Sequence, residues 1–308
     1  MRLFSMLLAA ALPAVLSGGC KSNNPAPDPH ANHGTPTKNQ DPHDGHLAPA
    51  GATHTASGAG PHAGHAMPSA SAATLGYTMR VEPVGAVTAG ATGTLNIHLL
   101  DSGGMPVERL QVVHEKKLHF LVISRDLAFF AHEHPQQQPG GLQTLAFSFP
   151  RPGDYVLFGD YTPEGASQVV SSARLTVPGV SAMREPQLKP DDLAHARRFG
   201  AFEVKLDQKV NGEESVLTFS LTRGGKPVAD LQPYLGALGH LVLVDPGASK
   251  LLHSHPLGAG EPGKVSFHTA FPAPGLYKLW AEFRPEGQPL RADFVIESTG
   301  AGGKPHAH

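Results

Sequence analysis

The chain has 308 residues, room for about two ordinary domains and a tail. A formal net charge of −2 with 16% charged residues leaves no basic field of the kind that nucleic acid or an anionic membrane face would require. Its 35 glycines and 29 prolines favour turns, short strands and linker over long helices, and its 19 histidines are the unusual count.

Residues 1–20 read as an export signal, with Arg2 as the positive start and Leu3 to Leu16 as an apolar core shorter than a membrane span. Ser17, Gly18 and Gly19 lead into Cys20, the only cysteine. Small residues before a lone cysteine resemble the lipobox of bacterial lipoproteins, in which the cysteine becomes the N-terminus and carries the lipid. Ser17 departs from that pattern, which prefers an aliphatic residue three before the cysteine; Leu16 lies one step earlier. The plainer alternative is a secretory signal with an incidental cysteine. Lys21 is not the aspartate that retains many such proteins at the inner membrane, so an outer-membrane anchor is expected, its periplasmic or surface side unassigned. With one cysteine, no intramolecular disulfide can form.

Residues 21–76 are Pro, Gly, Ala, Ser, Thr, Asn and His with few large apolar side chains, which predicts a disordered linker. Such a chain reaches roughly 40 Å. Six of its histidines form three equally spaced pairs, His30 and His33, His43 and His46, His62 and His65, with His54 alone; the tail at 298–308 adds His306 and His308. A mobile His-rich tract gathers transition-metal ions weakly, because each binding event must order the chain. Compositional drift in a spacer is the other explanation.

From residue 77 to 297, runs of strand length alternate with Gly, Pro and Asp turns: GTLNIHLL, LHFLVIS, LAFFAHEH, TLAFSF, YVLFGDY and ARLTV, then FEVKL, SVLTFSLT, HLVLV, KLLHSH, KVSFHTAF, YKLWAEF and RADFVI. This predicts an all-β protein with two antiparallel β-sandwiches, residues 77–180 and 199–297. A connection at 181–198 carries a short helix over Asp191–Arg198. The two halves are copies. Pro150, Pro152, Gly153, Tyr155, Leu157, Pro163, Glu164 and Gly165 recur as Pro272, Pro274, Gly275, Tyr277, Leu279, Pro285, Glu286 and Gly287.

Between the matching windows, His119 to Pro135 and His240 to Pro256 align without a gap. Only three histidines and the proline agree: His119, His132, His134 and Pro135, against His240, His253, His255 and Pro256. Each segment reads as a β-hairpin. With a turn near Arg125-Asp126, His119 falls opposite His132, and the two-residue period returns His134 to the same face. Three imidazoles then converge, a donor set suited to copper or zinc, and two equivalent three-His sites are expected. Structural hydrogen bonding is the competing role. Asp160 and Glu282 align and offer either a fourth ligand or an acceptor for an imidazole N–H. His114 matches Leu235 and so stands outside the shared set, and His98, His195 and His268 have no counterparts.

The phrases VVHEKKLHFLVISRDLAFFAHEHP and DLQPYLGALGHLVLV…HSHP, each followed by a PG-x-Y strand, resemble exported bacterial proteins with tandem Ig-like or cupredoxin-like domains, of the heavy-metal-binding, YtkA-like or CopC-like kind. The resemblance implies such sandwiches and a metal as partner. The folded part lacks the cysteine of a blue-copper site, and no methionine lies within a histidine triplet. The expected function is an envelope lipoprotein that binds Cu(II) or Zn(II) for buffering, delivery or resistance. The alternative is an envelope module that holds a protein or glycan partner, with structural histidines. No nucleic-acid partner is expected. No paired acid and base or Ser/His/Asp pattern supports an enzyme, although an open three-His site could serve a hydrolase or oxidase.

Overall fold

Side chains alternate across a strand, so one β-strand can serve two different packing layers. The computed structural model describes residues 76–211, 214–256, 258 and 260–299. The export signal, Cys20, the linker with its paired histidines and the tail beyond residue 299 lie outside the described residues.

The first repeat comprises β1 (Thr78–Val84), β2 (Thr92–Leu100), β3 (Leu118–Ser124), β4 (Phe130–Glu133), β5 (Gln136–Gln137), β6 (Gln143–Ser148), β7 (Gly153–Tyr161) and β8 (Val169–Val177). One sheet runs β1-β2-β6-β5 and the other β4-β3-β7-β8, all antiparallel. The order matches the immunoglobulin-type arrangement, four strands against three, with β4 added to the second sheet. The second repeat comprises β9 (Arg197–Phe199), β10 (Phe202–Asn211), β11 (Glu214–Arg223), β12 (Lys226–Pro227), β13 (Leu231–Gln232), β14 (His240–Val244), β15 (Leu251–Ser254), β16 (Lys264–Ala270), β17 (Gly275–Pro285) and β18 (Leu290–Ser298). There β9-β10-β11, with β16 and the short β12 both paired to β11, form one sheet, and β15-β14-β17-β18, with the short β13 on β17, the other. Each repeat carries a tyrosine corner: Tyr155 Oη donates to the Arg151 carbonyl at 2.8 Å and Tyr277 Oη to that of Ala273 at 2.9 Å.

Each sandwich encloses its own core. Phe120, Val122, Tyr155 and Leu157 point inward in the first, and Leu241, Leu243, Tyr277 and Leu279 in the second. The intervening residues of these same strands form a third core between the repeats, where Leu121, Ile123, Phe130, Val156 and Phe158 meet Val242, Val244, Leu251 and Trp280. Phe130 and Trp280 stack at 4.7 Å and 9° across this contact. Hence β3 and β14 are buried at every position.

Two expectations are corrected. Residues 191–198 do not form a helix; they make a turn around Leu193–His195 and enter β9. Their polar groups bond outward to β18: Asp191 N donates to the Val295 carbonyl, Val295 N to Asp191 Oδ2, and Arg197 to the Asp293 carbonyl. The hairpin register also differs by two. Leu121, not His119, pairs with His132, and Val242, not His240, pairs with His253. The first loop is wider than a tight turn because Asp126 accepts from Ser124 Oγ, Ala128 N and Arg151, while Leu127 (φ 57) tucks into the third core. A shift of two leaves every side chain on its expected face.

Candidate metal centre

The faces that build the third core also carry the histidines. Along β3, His119 precedes Leu121 and Ile123 on the face turned toward the other repeat, and His132 follows Phe130 on β4. His240 and His253 hold the same places on β14 and β15. Consequently the two triplets do not lie apart, as the hairpins taken singly suggest. They meet in one cluster. His132 lies 5.3 Å from His253 and 5.4 Å from His240 between ring centroids, and His119 lies 5.1 Å from His253. Spacings within a triplet are 4.8–5.3 Å in the first and 4.6–5.9 Å in the second, so the two sets overlap.

The outer nitrogens are engaged. His119 Nε2 donates to the Val113 carbonyl at 3.1 Å, and His240 Nε2 to the Tyr234 carbonyl at 2.9 Å. Both acceptors belong to two-residue hairpin turns whose centres take positive φ, His114-Glu115 (48° and 65°) and Leu235-Gly236 (52° and 74°). His132 Nδ1 donates to Glu282 Oε2 at 2.9 Å, and His253 Nδ1 to Asp160 Oδ2 at 2.7 Å. Each carboxylate therefore serves the histidine of the other repeat. Gln168 holds the remaining oxygen of Asp160, and Arg291 that of Glu282.

These bonds assign the tautomers and leave Nδ1 of His119 and His240 and Nε2 of His132 and His253 as lone pairs. In the first triplet, His119 Nδ1 lies 3.0 Å from His132 Nε2 and 3.4 Å from His134 Nε2. Two ligands about 2.0–2.1 Å from a tetrahedral ion stand about 3.3 Å apart, so the spacing fits zinc or copper. In the second triplet, His240 Nδ1, His253 Nε2 and His255 Nε2 have no hydrogen-bond partner. Among the described residues only one other buried side-chain polar atom, Gln143 Oε1, shares that condition. Buried polar groups are nearly always paired, so three exceptions within one triplet are lone pairs free to take a cation. Ligand atoms of His119, His132 and His134 lie within 4.8 Å of one another, as do those of His132, His240 and His253.

Burial, reinforced by neighbouring imidazoles, pulls His119 down to about 3 and, outweighing the Tyr234 carbonyl bond, His240 to about 4. The same causes lower His134, His253 and His255, so these rings stay neutral, the form that binds metal. The carboxylates diverge. Burial pushes Asp160 up to about 6. Burial also acts to raise Glu282, yet the bond from His132 and the charges of His132 and Arg291 hold it at about 2.

His114 crosses over as well: it stacks on His255 of the second repeat at 3.6 Å and 21°. Sequence reasoning set it apart, correctly as regards the shared set, but the ring it touches belongs to the opposite repeat. The Val113 and Tyr234 carbonyls, Gln168 and Arg291 escaped sequence reasoning; only the turn ahead of each first histidine hinted at the carbonyls. His98, His195 and His268 stand beside Glu82, Asp192 and Glu214, outside the cluster.

Residues 72–178 and again 197–300 match a family described as a domain of unknown function (DUF8832). The chain belongs to that family. No curated protein matches it. Among solved structures, it is similar to the PKD domain of an M14-like peptidase from Thermoplasmatales archaeon SCGC AB-540-F20, at 13% identity and a TM-score of 0.22, over 33% of this chain and 94% of that one. It is similar also to a tetra-tandem repeat in the extending region of a large adhesion protein, at 9% identity and 0.25, over 72% and 49%. A third likeness is to dimeric latent PorU from Porphyromonas gingivalis, at 10% identity and 0.23, over 74% and 24%. The chain thus spans about half of the adhesion repeat and about a quarter of PorU. At these scores the likenesses carry nothing about function.

Proposed function

We propose that the protein binds a divalent transition metal, Cu(II) or Zn(II), through the histidines between its repeats, and that it buffers, delivers or gives resistance to that metal in the cell envelope. The observation that carries this reading is the polarity of the imidazoles: outer nitrogens donate to carbonyls and carboxylates while inner lone pairs face one another without hydrogens. Nitrogen donors without thiolate or thioether favour Cu(II) and Zn(II) over Cu(I). Met79 is buried in the first core, and Met105 is exposed. Placement in the envelope rests on the export signal and Cys20, which would carry the lipid.

At the first triplet, metal would bridge the facing nitrogens. His119 Nδ1 and His132 Nε2 stand 3.0 Å apart, and their outer nitrogens already carry hydrogens. The test is titration with Cu(II) and Zn(II) of the full chain in which the nine histidines outside residues 76–299 are replaced by Asn. Uptake tighter than about micromolar is expected, weakening as the imidazoles protonate in acid. If neither ion binds that tightly and the His119, His132 and His134 to Ala change alters nothing, the reading fails.

A further inference from the structure

The two candidate groupings of ligand atoms share His132. With its Nδ1 bonded to Glu282, His132 has one nitrogen left to give, so the groupings exclude each other. One arrangement places a single ion among His132, His240 and His253, bridging the repeats. It leaves His119 Nδ1, His134 Nε2 and the buried, unpartnered His255 Nε2 without a role. The other uses every inner nitrogen once: His119, His132 and His134 for one ion, and for the other His240, His253 and His255, whose rings lie 4.6–5.9 Å apart and whose ligand atoms must draw closer to share it.

Charge adds a second condition. Two divalent ions bring four positive charges to a cluster whose neutral imidazoles bring none. Asp160 and Glu282 supply two negative charges, and Arg291 offsets part of the latter. Buried charge must be matched nearby. Three nitrogens also leave a fourth position open on each ion. A small anion between the ions meets both needs.

We propose that the cluster is a two-metal centre, one ion on each triplet, joined by a small solvent-derived anion such as hydroxide. This rests on the metal-binding reading above and goes further in number and arrangement. The adjacency of the triplets carries it, together with the three unpartnered nitrogens of the second: His119 and His132 lie 5.1 and 5.3 Å from His253 between ring centroids. His134 and His255 become the diagnostic residues, because each belongs to one ion only.

The experiment adds Cu(II) stepwise to the full chain with the nine outside histidines replaced by Asn, then measures bound copper after gel filtration and records the electron paramagnetic resonance spectrum. Two ions per chain are expected, with the signal from the first equivalent falling as the second binds and couples to it. His134→Ala and His255→Ala should each hold one ion with an uncoupled signal; both positions are only partly buried, and circular dichroism checks that each variant folds. One ion per chain, insensitive to both substitutions, overturns the two-metal centre and leaves metal binding standing. Two ions with full, uncoupled signals overturn the shared anion. No tightly bound copper removes both readings.

Discussion

The Asp160 carboxylate of the first repeat accepts the Nδ1 hydrogen of His253 in the second at 2.7 Å. The mirror contact, Glu282 to His132, runs the other way at 2.9 Å. Each repeat orients a histidine ring that it does not contain. Removing such an acceptor from a metal-ligating histidine costs roughly 10–100-fold in affinity. Asp160→Asn should therefore weaken the ion on the second triplet by that factor and leave the first within about twofold. In a His134→Ala background, where the second triplet alone remains, Cu(II) competition titration should show the loss; in a His255→Ala background it should not. Glu282→Gln should give the reverse pattern. Loss confined to a carboxylate's own repeat would contradict the crossing.

Acid should destabilise the metal-free protein well before its carboxylates titrate out. His119 and His240 are held near 3 and 4, whereas an unfolded histidine takes its proton near about 6.5. Above that pH neither state is charged and the full stability is present; below it the unfolded chain binds protons that the folded one refuses. Each such ring removes up to about 1.4 kcal/mol per pH unit. Asp160, raised to about 6 by burial, opposes this between about pH 6 and 4, since there the folded state binds the extra proton. Two rings against one carboxyl leave a net loss, enlarged by His134, His253 and His255. Urea midpoints measured in chelator should fall steadily from about pH 6.5 to 4.5. Replacing His119 and His240 by Asn should flatten the slope, and an unchanged slope would defeat the explanation.

The contact between the repeats hinges on Trp280. Its ring stacks on Phe130, the Arg291 guanidinium lies 5.0 Å from the centre of that same Phe130 ring, and Arg291 also donates to the Phe130 carbonyl. Trp280→Ala should cost about 3–5 kcal/mol in equilibrium unfolding, and Trp280→Phe less than about 1.5 kcal/mol. Because ligands and their carboxylates sit on opposite sides of this contact, the alanine variant should also lose metal affinity. A cost under about 1 kcal/mol would mean that the repeats do not rest on this stack.

Much of the arrangement was legible in the sequence. The duplication, the strand-rich halves and the shared face of each triplet follow from spacing and the two-residue period, and survive a register error because that error was even. The meeting of the triplets was missed. Its trace was present: LHFLVIS and HLVLV are apolar without alternation, the pattern of strands covered on both sides. Treating each hairpin alone hid what covers the second side. The Asp191–Arg198 helix failed for a related reason. Its local pattern was helical, but β18 offered its backbone and side chains better partners than a helix of its own could. The crossing of Asp160 and Glu282 could not be read at all, because alignment pairs each acid with its own repeat.

The reciprocal contacts have a form familiar from two-fold homodimers, in which residue i meets j and j meets i. A symmetric dimer must duplicate every change on both sides. Here both halves lie on one chain, so they are free to differ: His114 faces a rim where its counterpart is Leu235, and Gln168 steadies one acid while Arg291 steadies the other. A covalent pair can thus tune the two sides of one cluster separately, by substitutions that fall on one side alone.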